Sequence, residues 1–343
     1  MKPRKDSFSF PVYLLFAGLL AVAMLLCICL GSVPIPLRDT TLALWNSLWG
    51  LEIPAGISKA IILSVRLPRV LCVALTGAAL SLCGAAMQGL LKNPLADGST
   101  LGVSSGASLG AVTALAFGVT LPGLPYGSTM VMAMLFAFLS LVLILGLAYA
   151  LDKSFSTNSI ILIGVIFSMF ASSLISLIIA FAGEKIKSIT FWTLGSLAGS
   201  DMTQAGLLAA ALLLFGGVLL AQSRELNAFA LGEENAQHVG VNVRGVKLRV
   251  LICVSALIGV CVSIGGGIGF VGLLTPHMAR MLAGPNHRRL LPASLFMGSM
   301  FLLLADLVAR TLLSPIELPI GVVTSLAGSV VFVIIFYRSR KGK

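Results

Sequence analysis

Charge is what this sequence is short of. Only 10% of its 343 residues are Asp, Glu, Lys or Arg, while 58% are hydrophobic and the mean hydropathy is +1.05. A soluble domain covers itself with charge on about a quarter of its residues, so lipid must cover most of this chain. Acids are scarcer than bases, 12 Asp and Glu against 23 Lys and Arg. Proton-coupled carriers keep Asp, Glu or His at depth as relays, because charge in hydrocarbon is costly and is retained only for use. Here the clear deep candidate is Asp306, and Arg310 stands four residues on along the same helix face, where opposite charges neutralise each other. His277 lies toward the inner end of its segment, and His238 and His287 lie in loops. An ion-coupled mechanism is disfavoured.

Other absences narrow the function further. Cys27, Cys29, Cys72, Cys83, Cys253 and Cys261 all lie in apolar runs without a CxxC pair, so they read as small hydrophobes. Neither a disulfide framework nor a zinc site is expected, and no His or acidic pair has metal-ligand spacing. No GxxxxGK[ST] occurs, which excludes ATP binding by a P-loop. Gly267–Gly272 formally matches GxGxxG, but no strand precedes it and no ribose-binding acid follows about 20 residues later. It reads as helix packing or a tight turn. Without a Ser, Cys and His arrangement for a nucleophile, a membrane enzyme is the weakest class, and no cofactor is expected. The formal charge of +11 has no basic stripes interleaved with aromatics, so nucleic acid is not a partner.

Long apolar runs are what the chain does have. A crossing takes about 20 mainly apolar residues, and such runs fall at 11–32, 68–91, 99–118, 128–151, 158–182, 204–222, 248–264, 268–284, 291–312 and 319–337. The seventh and eighth are separated only by Gly265–Gly267. The first follows Lys2, Arg4 and Lys5 as a signal peptide does, but its length and the lack of a small-x-small cleavage site make it a retained helix. Leu37–Leu51, with Trp45 and Trp49, is too short and polar to span and suits the outer interface, where tryptophan is favoured. Gly102, Gly106 and Gly110 fit close helix packing in lipid. The expectation is an all-α integral membrane protein, one transmembrane domain over 1–343 with about ten helices. Ten crossings put both termini on one side. With the termini inside, sixteen basic residues fall in cytoplasmic segments and seven outside (Arg38, Lys59, Arg66, Arg69, Lys185, Lys187 and Arg310), together all 23. Positive charge gathers in cytoplasmic loops, so both termini are cytoplasmic.

Two places stand out. Residues 223–247 are too polar to span and too long for a simple turn. Leu226, Phe229 and Leu231 precede a short helix over Gly232–His238 that Gly240 ends. This reads as a structured cytoplasmic docking surface, with a mobile linker as the alternative. Arg66 and Arg69 bracket Pro68 at the outer start of the second long helix, and Arg310 ends the ninth on the same side. Proline suits a first helical turn, giving both arginines a fixed exit. They serve either to snorkel at the interface or to dock an acidic partner, since arginine pairs carboxylates bidentately.

The run RLPRVLCVALTGAALSLCGAAMQGLLKNPLADGSTLGVSSGASLGA (Arg66 to Ala111) resembles the signature of the FecCD-type permeases that import iron–siderophore complexes, haem and cobalamin. GFVGLLTPHMAR (Gly269 to Arg280), DLVAR (Asp306 to Arg310) and ELPIGVVTSLAG (Glu317 to Gly328) resemble its later motifs. The resemblance covers the chain from the second helix onward. It implies a ten-helix subunit of an ATP-binding-cassette importer in the bacterial inner membrane, paired as a homodimer or with a close paralogue. Two cytoplasmic ATPase subunits drive it, and an extracytoplasmic substrate-binding protein delivers substrate. By resemblance, the coupling loop on the ATPases holds Leu231, Gly232, Glu233, Ala236 and Gly240. Arg66, Arg69 and Arg310 meet acidic residues of the binding protein, and Asn93–Leu95 with Thr157–Asn158 form the inner gate. The resulting expectation is uptake of an iron–siderophore complex, with haem or cobalamin as alternatives. An ion-coupled carrier and a membrane scaffold are the readings from other classes.

Overall fold

The computed structural model describes residues 7–31, 33–52, 59–121, 127–153 and 156–341. Lys2, Arg4, Lys5 and Lys343, which enter the charge count, lie outside them. Fourteen α-helices follow one another among the described residues: α1 Phe10–Cys29, α2 Leu37–Leu48, α3 Ala60–Leu91, α4 Val103–Phe117, α5 Ser128–Leu151, α6 Thr157–Phe181, α7 Ile186–Thr193, α8 Met202–Ala221, α9 Ser223–Phe229, α10 Glu233–His238, α11 Val243–Gly265, α12 Val271–Ala283, α13 His287–Thr311 and α14 Ile320–Lys341. Seven of these (α1, α3, α5, α6, α8, α11 and α13) are long and apolar enough to cross a membrane by length and composition. With α4, α12 and α14 the ten expected segments are complete.

Local sequence sets the helix starts. Ser156 caps α6, Asn242 caps α11 and Asn286 caps α13 by accepting backbone N–H groups that the first turn leaves unpaired. At α8 a reciprocal box forms, Asp201 Oδ1 accepting from Gln204 N at 2.8 Å and Gln204 Oε1 from Asp201 N at 3.4 Å. One start differs from expectation. α3 begins at Ala60 rather than at 68, with a wide π turn over Ala60–Arg66 in which Leu67 N donates to Ile62 O. Pro68 therefore lies inside a continuous 32-residue helix and gives Arg66 and Arg69 no exit from a first turn.

Packing places α3 and α11 at the centre, with 83% and 72% of their apolar windows buried, while α1, α5, α6 and α8 have 22–28% buried and face outward. Small residues allow this. A Cβ on Gly77 would lie 2.3 Å from the Gly298 carbonyl oxygen, and one on Gly298 would lie 2.2 Å from the Gly77 oxygen, so α3 and α13 touch backbone to backbone. Ser81 Oγ donates to Ser294 O at 2.6 Å and Ser299 Oγ to Ala74 O at 2.8 Å along the same seam. Gly106 and Gly110 of α4 fit against Ser140 and Met132 of α5 in the same way. The Gly266–Phe270 stretch is a packing knot between α11 and α12. Gly266, at φ +67°, leaves no room for a Cβ beside the Trp192 carbonyl.

The helix ends sort to two sides. Arg289 lies over the Phe8 ring (6.0 Å) and Phe16 meets Phe296 (5.3 Å), so the start of α1 sits beside the start of α13. Asn227 of α9 bonds Asn286 and His287 there, bringing the 223–242 loop to the same side. Arg66 and Arg310 lie at the opposite end, against the last turn of α1. On that far side α2 exposes Trp45 and Trp49, 59% and 63% accessible.

Candidate functional site

At the end where α1 finishes, the structure brings Arg66, Arg69 and Arg310 together but turns them inward. They are 7%, 8% and 4% exposed. Arg69 pairs with Asp306 and Glu317, both at 2.9 Å. Arg310 Nε stands 2.9 Å from Asp306 Oδ2, an ion contact too bent for a hydrogen bond. Arg310 also donates to Cys27 O at 3.1 Å, while Arg66 donates to Ile28 O at 2.6 Å, to Cys29 O at 3.0 Å and to Val33 O. The last carbonyls of a helix lack intrahelical partners, and positive charge is favoured there. Arg66 and Arg310 thus cap α1. In this chain the three do not form an outward basic patch, because three positive charges at this depth need the two carboxylates and the carbonyls that surround them. Glu317, with its side chain 37% exposed, is the accessible edge of the cluster.

At the other end, residues expected in the coupling loop and half of those expected at the inner gate meet. Leu226 and Phe229 are fully buried, so the loop is anchored rather than a linker. Gly232 holds φ +116° and Gly240 φ +87°, left-handed conformations that bracket α10. Ala236 is 0% exposed beneath it, while Leu231 and Val239 are each 67% exposed and form an apolar edge facing away from the bundle. Glu233, the first residue of α10, reaches two other elements. Its Oε1 accepts from Thr157 Oγ1 at the start of α6 (3.0 Å), and its Oε2 pairs with Lys247 of α11 (2.7 Å), which is 3% exposed. Thr157, Asn158, Ser156, Lys92, Leu91 and Glu233 line a cleft of about 260 Å³. Asn93 and Leu95 stand just beyond, Asn93 Oδ1 accepting from Leu95 N at 2.9 Å and Leu95 52% exposed. Their neighbour Lys92 is left-handed, φ +49°, which ends α3 abruptly.

A family model, the FecCD transport family, matches residues 19–338. The chain belongs to the FecCD transport family. An ABC transporter permease protein of Bacillus subtilis (strain 168) is 43% identical over 97% of this chain and 95% of its own length. The molybdate import system permease protein of Haemophilus influenzae is 36% identical over 94% of both chains. The hemin transport system permease protein of Yersinia pestis is 38% identical over 81% of this chain and 84% of its own. A structure described as an inward-facing ABC transporter of metal-chelate type superposes with a TM-score of 0.83 at 33% identity, covering 96% of this chain and 100% of that one. This FecCD chain is a multi-pass membrane permease subunit of an ABC importer, a class in which ATP hydrolysis belongs to separate subunits.

Sequence reasoning missed one half-buried carboxylate in this FecCD permease. Asp97 follows α3 closely enough to read as a surface loop residue. The 92–102 segment instead folds back into the bundle, with Gly98 against Ile258 and Asp97 Oδ1 so close to Gly272 that a Cβ there would lie 2.3 Å away. Asp97 accepts from Gly98 N at 2.6 Å and, with Thr76, Ser104, Ser108 and Cys261, lines a cavity of about 150 Å³. The signal was the turn-forming string Pro94 to Gly98, too short for the glycine-dense helix expected from 99. On α6, Ser172 and Ser173 are exposed. Thr324 is 0% exposed, with its hydroxyl donating to Gly321 O.

Proposed function

We propose that this FecCD permease imports an iron–siderophore complex across a bacterial inner membrane. In this reading it works as a homodimer or paired with a paralogue, over two ATPases and under a substrate-binding protein. The Thr157–Glu233 bond supports the ATP-driven reading most directly, because it ties the helix carrying half of the proposed inner gate to the short helix proposed to rest on the ATPase. The apolar edge of Leu231 and Val239 is the ATPase-facing surface. On the other side, carboxylates of the binding protein compete with the part-exposed Glu317 for Arg69, and Arg66 and Arg310 hold the α1 end against which that exchange takes place.

The chelate reading rests on the wall chemistry. The exposed positions of α6 are mostly apolar or serine, such as Ile166, Met169, Phe170, Ser172, Ser173 and Leu177, and the helix carries no His, Cys, Asp or Glu. A bare iron ion crossing there would need oxygen, nitrogen or sulfur ligands to replace its hydration shell, whereas iron already enclosed by a chelator needs none. Haem is the second reading, favoured by the hemin permease of Yersinia pestis among the relatives; cobalamin fits the same wall. Uptake into vesicles holding the full transporter tests this with labelled ferric siderophores, haem, cobalamin, molybdate and free iron. Saturable ATP-dependent uptake of a ferric siderophore supports the reading. Uptake of molybdate alone, or of free iron without chelator, overturns it.

A further inference from the structure

Asn227 of α9 reaches from the 223–247 loop to the start of α13, and the backbone there fixes which way its amide points. Asn227 Oδ1 accepts from His287 N at 2.8 Å, and Asn286 Oδ1 accepts from Arg288 N at 3.0 Å. A backbone N–H only donates, so both amide oxygens are identified, and Asn227 Nδ2 donates to Asn286 Oδ1 at 2.9 Å. His287 Nδ1 stands 2.9 Å from the same Asn227 oxygen. That oxygen can only accept, so Nδ1 holds the proton of the neutral ring. The other edge of the buried ring meets α3 at Gly89, where a Cβ would lie 2.3 Å from Nε2. Nε2 has no hydrogen-bond partner among the described residues, so this edge acts by contact alone. The His287 ring is thus bonded to α9 on one side and seated on α3 on the other, and it fits only because Gly89 has no side chain.

We propose that the Asn227–His287 pair is a second coupling link, which passes movement of α9 to the inner end of α3 and so to the Asn93–Leu95 half of the gate. Glu233 joins α10 to the other half, Thr157–Asn158, at the start of α6. The link rests on the proposed seating of this loop on an ATPase. Its place along α3 suits the task. Gly89 lies about 12 Å beyond Ser81, where the hydrogen-bonded seam with α13 ends, at 1.5 Å per residue. Asn93 follows Gly89 by four residues. His287 therefore extends the hold of α13 on α3 to within about one turn of the gate. α9 also touches α3 directly, but packing of that kind is non-directional, whereas the bonds from Asn227 hold the ring as α9 moves either way. His287 is in this sense a positioning residue, acting on the gate through α3.

The test uses the full-length permease with its ATPases in nanodiscs, in a cysteine-free background carrying Leu95→Cys or Asn158→Cys as a reporter, both at exposed positions. Labelling by a maleimide is timed without nucleotide and with ATP and vanadate, so no transported substrate need be known. With no further change, both reporters are expected to alter their labelling rate when nucleotide is added. His287→Asn keeps a donor where Nδ1 stands and removes the part of the ring that reaches Gly89. It is expected to abolish the nucleotide effect at Leu95→Cys and to retain it at Asn158→Cys. Asn227→Ala, which cuts the link from the loop side, is expected to do the same, so the proposal stays testable if one variant folds poorly. Glu233→Gln is expected to give the reverse pattern. A full response at Leu95→Cys in both His287→Asn and Asn227→Ala overturns the proposal, as does equal loss at the two reporters in both, which would show a merely structural role. Absence of any nucleotide effect at either reporter before these changes overturns the seating on an ATPase, and the link with it.

Discussion

Replacing Glu233 tests whether movement at the loop reaches the gate through one side chain. Glu233→Gln keeps the shape but removes the charge that holds Thr157 at 3.0 Å and Lys247 at 2.7 Å. A hydrogen bond to a charged group contributes about 1.5–3 kcal/mol. Because the Glu233 side chain is 37% exposed and Lys247 has other partners, the low end, about 1.5 kcal/mol, applies. That is about tenfold in an equilibrium, enough to decouple two elements while leaving the fold intact. In proteoliposomes with the ATPases and binding protein present, ATP hydrolysis should persist while import per ATP falls about tenfold. Thr157→Val should give the same defect. The double variant should be no worse than either single one, since both variants weaken the same contact. Wild-type stoichiometry in either single variant, or losses that multiply in the double one, would refute this route.

Other expectations follow from single positions. Gly232→Pro replaces a residue at φ +116° that proline cannot reach, and Ala236→Leu overfills a position that is 0% exposed. Both variants should reach the membrane but lose ATPase binding or coupling, and full transport by both would return the loop to a linker. In a cysteine-free background, Ser188→Cys should react with an impermeant external reagent and Ser223→Cys should not; the reverse pattern would invert the orientation. Gly298→Leu sets a side chain into the α3–α13 seam, where a Cβ already falls 2.2 Å from the Gly77 oxygen. It should destabilise by about 1–3 kcal/mol or more, read as lost yield and a lower unfolding midpoint, and a wild-type midpoint would show that the seam can part.

Most of the architecture was legible because lipid enforces it. Each of the ten apolar runs became a helix, and the glycine spacing of α4 marked a real contact. The α9–α10 loop announced itself through Leu226, Phe229 and the two flanking glycines, whose left-handed φ values match their use as stops. Boundaries were less legible where the backbone departs from simple helices. The π turn before Pro68 extends α3 by two turns, and no hydropathy window distinguishes it from an interfacial approach. Residues 92–98 read as a loop, but only tertiary contacts bring Asp97 against Gly272.

The arginines show why charge pattern alone misleads about direction. Arg66, Arg69 and Arg310 break the positive-inside distribution, which identifies them as purposeful without saying whether they face out or in. Their partners settle this within the chain. Asp306 lies four residues before Arg310, and Glu317 seven after, so one short stretch carries both carboxylates that hold Arg69. A docking role then becomes an exchange of partners rather than a meeting of free charges. Asp306 at 1% exposure is too enclosed to be displaced, and Glu317 is the group that an incoming carboxylate can replace. Glu317→Gln should therefore strengthen docking of the binding protein or speed its association, while Arg69→Glu should weaken docking and be partly rescued by an acid-to-base change on the partner. Association rates measured across a salt series separate the cases, since rim charges act chiefly on that rate. Equal salt dependence in wild type and in Arg69→Glu would assign Arg69 to holding α3 against α13 and nothing more.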